Sequence, residues 1–311
     1  MNQIKPTIYL KEPIHEEAVN YLNEHAVVVD DFNNTAIQGI VTRGEIIAKP
    51  LMLRLPNLKV IGKHGVGYDN IDIQSAHELG ICVVFTPGCN TEAVAELAVT
   101  HILSVYRRII PAYDEVRSGK NEEIAPAHFI GREVYGKTVG LVGIGRIGRR
   151  IGDILRSAFK VTLIGYDPFV SDETFDQLGI YRCTDLLAMC SVSDIVNISI
   201  PFSKDTENLI NADVLASFKK DAILVNSSRG NIVNEKDLYD ALRSHRLYGA
   251  GMDVFAEEPI PGDNPLLLLP NFVATPHIGA STDEAMLKMG MTVVQDVLRV
   301  VNGASAMFPV K

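Results

Sequence analysis

The sequence predicts an α/β protein made of two doubly wound parallel sheets, each forming its own domain. Three observations carry this expectation. A chain of 311 residues, 47% hydrophobic and 22% charged, is long enough for two cores. Short apolar runs alternate with polar or helical segments through the first hundred residues, as they do in a parallel sheet with crossovers. The alternation then stops and restarts at Thr138.

The first set of strands is expected at Thr7 to Leu10, Ala26 to Val29, Gly39 to Thr42, Lys59 to Gly62 and Ile81 to Phe85. Between the sets, Glu92 to Arg107 places Val94, Leu97, Ala98, Ile102 and Val105 on one helical face, suited to connecting and packing against both domains. The second set reads as Thr138 to Val142, Val161 to Tyr166, Asp194 to Ile200, Ala222 to Asn226, Tyr248 to Asp253 and Phe272 to Ala274. Helices are expected between them, among others at Arg146 to Phe159 and Glu235 to Arg246, and a last helix, Thr282 to Asn302, returns to the first domain. The expected domains are 1–98 with 284–311, and 99–283.

A formal net charge of -9 without a long basic run argues against nucleic acid or a membrane surface as the main partner. The longest leucine run, Leu266 to Leu269, is too short to span a bilayer, and no export signal is visible, so a cytoplasmic protein is expected. Cys82, Cys89, Cys183 and Cys190 form no CxxC and no zinc spacing, so they read as reduced thiols and no metal is expected. Cys89 falls in a loop that can line a site, where it could react without being required.

The most informative stretch is Lys137-Thr-Val-Gly-Leu-Val-Gly143-Ile-Gly145-Arg146-Ile147-Gly148: a buried strand, a glycine turn and a helix start in succession. Gly143 allows a tight turn, Gly145 lets the backbone approach a pyrophosphate, and Gly148 permits close helix-on-strand packing, with helix amides facing the phosphates. A second strand ends in Asp167, 19 residues after Gly148, near the spacing at which a carboxylate meets the adenosine ribose. That acid accepts from a 2'-OH and repels a 2'-phosphate, and no cation stands beside it in Pro168-Phe169, so NAD is expected over NADP. The plainer alternative is that Asp167 only caps a strand-end turn.

Further polar residues follow the later strands, where doubly wound folds place ligand loops. In Asn226-Ser-Ser-Arg229-Gly230 a guanidinium can hold a carboxylate with two parallel bonds, although a lone arginine after a strand is more often a surface ion-pair partner. His277, on the turn Ala274-Thr-Pro-His-Ile-Gly279, is suited to proton exchange, and Glu258 in Asp253-Val-Phe-Ala-Glu-Glu-Pro259 can fix which ring nitrogen carries the proton. Seven other histidines are the bland comparison. In the first domain, Lys63-His-Gly65-Val66-Gly67-Tyr-Asp-Asn-Ile-Asp72 ends a strand in a turn whose amides could bind a carboxylate, or could be structural.

Together these segments resemble the NAD-dependent D-isomer-specific 2-hydroxyacid dehydrogenases, closest to the branch of phosphoglycerate dehydrogenase and hydroxypyruvate or glyoxylate reductase. Five motifs in family order carry the likeness over nearly the whole chain: Gly65 to Asp72, the glycine fingerprint with Tyr166-Asp167-Pro168, Asn226 to Gly230, Asp253 to Pro259, and Pro276 to Gly279. The resemblance implies a flavodoxin-like substrate domain and a Rossmann NAD domain. It implies that Arg229 binds the 2-oxo acid, His277 is the acid/base and Glu258 its partner. Arg146 and Ile147 would lie over the pyrophosphate, Thr206, Ser227 and Ser228 would line the cofactor cleft, and Asp253 would hold the nicotinamide carboxamide. Val66 and Gly67 would offer amides to the substrate carboxylate. Arg43 and Lys63, basic where phosphoglycerate dehydrogenases face the substrate's phosphate, put 3-phosphoglycerate first, and hydroxypyruvate or glyoxylate second. A small anionic acid is thus the expected partner, with a homodimer as the expected assembly.

Two departures stand out. The chain has no tryptophan, and Asn121 stands where the family often carries one; it also ends at Lys311, so a C-terminal regulatory domain is not expected. A corepressor-like NAD-sensing protein shares the fold and the Arg, Glu and His, and is the rival from a different class. Formate dehydrogenase, with glutamine at the position of Glu258, ranks below it.

Overall fold

The computed structural model describes residues 5–120 and 122–310. Asn121 lies outside the described residues. The chain splits into two compact units, Met1–Ala93 with Ala280–Lys311, and Val94–Gly279. The expected boundaries at 98 and 283 thus move four or five residues toward the N-terminus. Ala93 and Ala280 pack in one small apolar cluster with Ala285 and Met289, which places both with the first unit.

The first unit is a parallel sheet of β1 (Thr7–Tyr9), β2 (Val27–Val29), β3 (Ile37–Thr42), β4 (Val60–Lys63) and β5 (Cys82–Val84), joined by α1 (Glu16–His25), α2 (Lys49–Arg54) and α3 (Ile73–Glu78). Its order, β2-β1-β3-β4-β5, is the flavodoxin-like order with a switch point between β1 and β3. Consecutive strand residues point to opposite faces, and both faces are covered, which is why these strands are continuous apolar runs. Ile8, Val41, Val60 and Val84 face one cluster, and Tyr9, Ile40, Ile61 and Val83 face the other.

The helix α4 (Thr91–Tyr106) crosses the division, and α5 (Ile109–Arg117) follows it. The second unit then builds β6 (Thr138–Val142), α6 (Arg146–Phe159), β7 (Thr162–Tyr166), α7 (Asp172–Leu178), β8 (Tyr181–Arg182), α8 (Leu186–Val192), β9 (Ile195–Ile198), α9 (Ala212–Ser217), β10 (Ile223–Asn226), α10 (Glu235–Arg243), β11 (Gly249–Met252) and β12 (Phe272–Ala274). The strand order β12-β11-β10-β9-β6-β7-β8 is fully parallel and reverses between β6 and β9, the Rossmann arrangement. The two-residue edge strand β8 is exposed and has no apolar run, so it left no sequence signal.

Helices α7, α8, α9 and α10 begin with Ser171, Asp185, Asn211 and Asn234, each accepting hydrogen bonds from first-turn amides. By contrast, the N-cap of α6 is Gly145, which has no capping side chain. Its first-turn amides are thereby left for something outside the helix.

Finally, α11 (Asp283–Val301) returns to the first unit. It buries Val293, Val294 and Val297 against the sheet, each side chain contributing roughly 1.5–3 kcal/mol. The close approach depends on Gly62, where a Cβ would stand 2.4 Å from Val297 Cγ2. Among the described residues, no helix is long and apolar enough to cross a membrane.

Candidate active site

The second unit places its polar residues on loops at the carboxyl ends of β6, β7, β9, β10, β11 and β12, along one edge of a single parallel sheet. After β6 the chain turns at Gly143, whose φ of +88° and whose approach to Ser199, with a Cβ 2.6 Å from the carbonyl oxygen, both require glycine. A Cβ at Gly148 would lie 2.2 Å from the Gly143 carbonyl oxygen, so α6 can start this close to the turn only with glycine there. At Gly145, by contrast, a Cβ would meet nothing within 4 Å. The open space lies directly over the uncapped helix start.

Asp167, at the end of β7, is half-buried and closes this turn. Its Oδ2 accepts from the Ile144 amide at 3.1 Å and its Oδ1 from the Phe169 amide at 3.0 Å. The strand-end cap is therefore present, and each oxygen retains a further acceptor position. After β9, the Thr206 hydroxyl accepts from the Ser203 amide at 2.7 Å and donates to the Pro201 carbonyl at 3.0 Å, shaping its own loop.

After β10, buried Asn226 organises the next loop: its Oδ1 accepts from the Ser228 amide at 3.0 Å and from the Ser228 hydroxyl at 2.8 Å, and its Nδ2 donates to the Arg229 carbonyl at 2.8 Å. The Ser227 hydroxyl is buried and has no partner among the described residues. Arg229 is half-buried, with Nη1 donating to the Ser228 carbonyl at 2.7 Å. Gly230 lets the loop touch its neighbour main chain to main chain, since a Cβ there would stand 1.9 Å from the Phe255 carbonyl carbon.

Glu258 and His277 meet. His277 Nδ1 lies 2.6 Å from Glu258 Oε2, and Glu258 Oε1 accepts from the Phe255 amide at 3.0 Å. Burial by itself would raise the Glu258 carboxyl; the His277 hydrogen bond, the Phe255 amide, and the charges of His277 and Arg229 outweigh it and hold the carboxyl below its usual range. An ionised carboxylate can only accept, so Nδ1 carries the proton, and Nε2 is the ring nitrogen not tied to Glu258.

Asp253, expected to hold the nicotinamide carboxamide, is 1% exposed and also organises its own unit. Its Oδ1 accepts from the Thr275 hydroxyl at 2.6 Å and the Ile278 amide at 2.8 Å, and its Oδ2 from the Gly279 amide at 2.7 Å. Three of its four acceptor positions serve the loop that carries His277.

In the first unit, Arg43 and Lys63 again stand at the carboxyl edge, after β3 and at the end of β4. Lys63, expected to face a distal anion, also has bonds within its own unit. It is 8% exposed, and its ammonium donates to the Arg43 carbonyl and, at 2.7 Å, to Asn70 Oδ1. It braces two loops of its own unit. Arg43 donates from Nη1 to the Pro13 carbonyl at 3.0 Å, and the Glu12 carboxylate holds the Gly44 amide at 2.7 Å and the Thr42 hydroxyl at 2.9 Å. Gly65 takes a φ of +144°, and the amides of Val66 and Gly67 have no hydrogen-bond partner among the described residues. Buried His64 beside them has its pKa pushed down to about 4, first by burial and then by the Arg43 charge.

Comparison with known proteins gives the family. The profile of the D-isomer specific 2-hydroxyacid dehydrogenase NAD binding domain matches residues 99–279. The chain belongs to that dehydrogenase family. It is 36% identical over 310 residues to a D-3-phosphoglycerate dehydrogenase of Methanocaldococcus jannaschii, covering 96% of this chain but only 58% of that protein. It is 34% identical over 306 residues to a hydroxypyruvate reductase of Thermotoga maritima, covering 94% and 97%. Among solved structures, an NADPH-dependent glyoxylate/hydroxypyruvate reductase of Sinorhizobium meliloti, in complex with NADP and malonate, matches with a TM-score of 0.88 at 30% identity, covering 98% and 97%.

For a member of this dehydrogenase family the resident cofactor is a nicotinamide dinucleotide, and the residues fit one. The glycine cradle at Gly145 is open, the α6 amides are uncapped, and an acceptor stands at the end of β7. Thr275 and Asn226 were not singled out from the sequence. Both are neutral polar residues whose contribution is to hold a neighbouring loop.

Proposed function

We propose that this chain is an NAD-dependent oxidoreductase acting on the CH–OH group of small anionic D-2-hydroxy acids and on the matching 2-oxo acids. The carrying observation is the 2.6 Å pair of Glu258 and His277 on the same sheet edge as the glycine turn and Asp167.

In this reading, the α6 start at Gly143, Gly145, Arg146, Ile147 and Gly148 takes the pyrophosphate, Asp167 takes the adenosine ribose, and Thr206, Ser227 and Ser228 line the cofactor site. Asp253 has one acceptor position remaining for the carboxamide. The nicotinamide, when bound, supplies or accepts the hydride. Arg229 holds the substrate carboxylate and polarises the carbonyl, and in the first unit Val66 and Gly67 carry amides suited to a substrate carboxylate. With Nδ1 tied to Glu258, His277 gives a proton from Nε2 to the carbonyl oxygen in reduction and takes it from the hydroxyl in oxidation.

Asp167 supports NAD over NADP, although the solved relative of Sinorhizobium meliloti is NADPH-dependent. Phosphoglycerate stands first among candidate substrates on the relatives that match, which this chain spans to about half their length. Hydroxypyruvate or glyoxylate is the second reading, and the internal bonding of Lys63 favours it. The assembly is read as a homodimer, because α5 buries none of its residues and exposes Ile109, Ile110, Tyr113 and Val116. The setting is read as cytoplasmic, consistent with free Cys82, Cys89, Cys183 and Cys190.

The test is NADH consumption against a panel of glyoxylate, hydroxypyruvate and phosphohydroxypyruvate. NADH that binds without turnover on any 2-oxo acid would replace the enzyme by an NAD-sensing binding protein. A sedimentation measurement giving a monomer at micromolar concentration would refute the dimer.

A further inference from the structure

His101 lies on α4 and is 1% exposed, yet the proposed chemistry makes no use of it. A histidine buried among Ala98, Ile102 and Val105 is costly unless its nitrogens are engaged. Room for the ring comes from β11: a Cβ at Gly251 would stand 2.9 Å from the His101 Cβ.

The ring Nε2 is 3.0 Å from the Thr275 hydroxyl, and that hydroxyl is 2.6 Å from Asp253 Oδ1. A hydroxyl has one proton, and a carboxylate can only accept it. His101 must therefore donate Nε2–H to the Thr275 oxygen. Burial pushes the imidazole pKa down against the opposing charge of Asp253, which keeps the ring neutral. Nδ1 is then a bare acceptor, and it has no partner among the described residues.

The bonds beyond Thr275 bracket His277. The Asp253 carbonyl accepts from the His277 amide at 2.8 Å, while its carboxylate accepts from the next two amides, Ile278 at 2.8 Å and Gly279 at 2.7 Å. Between them His277 has a φ of +54°, a left-handed backbone uncommon for a residue with a Cβ and kept only where its surroundings impose it.

We infer that His101 is a positioning residue for the proton-transfer loop: by donating to Thr275 it turns the hydroxyl onto Asp253, and Asp253 holds His277 in the backbone conformation that meets Glu258. The inference rests on the acid/base reading of His277. It adds a second histidine beneath the site, reached through a hydroxyl and a carboxylate rather than through substrate.

The experiment compares His101→Leu, His101→Gln, Thr275→Val and the His101→Leu/Thr275→Val double variant, with His277→Ala as reference. His101→Leu should lower kcat roughly tenfold while KM for NADH holds, and His101→Gln, which supplies an amide N–H, should recover most of the loss. Because both residues act along one chain of bonds, the double variant should be no slower than Thr275→Val alone. An unchanged kcat in His101→Leu, or additive losses in the double variant, overturns the positioning role. If His101→Leu does not fold, Thr275→Ser against Thr275→Val asks the same question, and equal kcat values in those two overturn it. Wild-type turnover in His277→Ala would instead remove the acid/base reading on which the inference stands, so the two failures are told apart.

Discussion

Replacing Asp167 by alanine should shift the chain's cofactor preference toward NADP by about tenfold. The carboxylate already accepts two amides, from Ile144 and Phe169, and retains two acceptor positions for a ribose 2'-OH. A hydrogen bond to a charged acceptor contributes about 1.5–3 kcal/mol. Asp167 is half-buried, so solvent screening reduces this to about 1.4 kcal/mol, which is a factor of ten. Loss of the Ile144 contact also loosens the glycine turn, but that weakens both cofactors alike and cancels in their ratio. Asp167→Asn keeps a carbonyl oxygen while removing the charge, so it should relieve the repulsion of a 2'-phosphate with less damage to NAD. The chain has no tryptophan, so a titration can follow the emission of NADH and NADPH directly. An unchanged NADH/NADPH ratio in folded Asp167→Ala would refute the ribose assignment.

Four other outcomes follow from the geometry. His277→Ala should lower kcat by roughly 100-fold or more while NADH still binds, read by steady-state kinetics beside the titration. Because Glu258 titrates below the usual carboxylate range, the His277 pair should persist as pH falls through that range and be lost only beneath it; Glu258→Gln should remove this acid limb from the pH profile of kcat/KM. Lys63→Ala strips a donor from the Arg43 carbonyl and Asn70, so thermal unfolding should show a loss of about 1–3 kcal/mol, and activity on 3-phosphoglycerate and glyoxylate should change together. Arg43→Ala is the contrasting case: a distal-phosphate role predicts KM for 3-phosphoglycerate rising by roughly tenfold or more with glyoxylate unaffected, and equal changes on both would end that assignment.

Most of the sheet was legible because strands covered on both faces are written as uninterrupted apolar runs, as in Ile223 to Val225. Ends were less so: Asp194, Ser199 and Ile200 continue the apolar or polar pattern of β9 but fall outside its ladder. The glycine turn and the Glu258 and His277 loops were readable because their residue types have few other uses at such spacings. The bonding of Lys63 could not be read ahead, because a lysine after a strand carries no mark in the sequence of the Asn70 side chain that folds back onto it. His101 and Thr275 gave no signal for the same kind of reason, since one sits in an apolar helix face and the other in a proline turn, and only the fold joins them to Asp253.

The contact at Gly230 has a consequence for how such a site can change over time. Where two loops meet through bare backbone, neither can lengthen or tilt alone, so the spacing of Arg229 and Glu258 is inherited as one piece. Loops such as Arg43 to Glu45 are tied by the Glu12 side chain instead and can be retied. A library randomised at both places and selected for folding should therefore return almost only glycine at 230 and a broad mixture at 43, marking on the protein itself where its backbone is fixed and where it is free to drift.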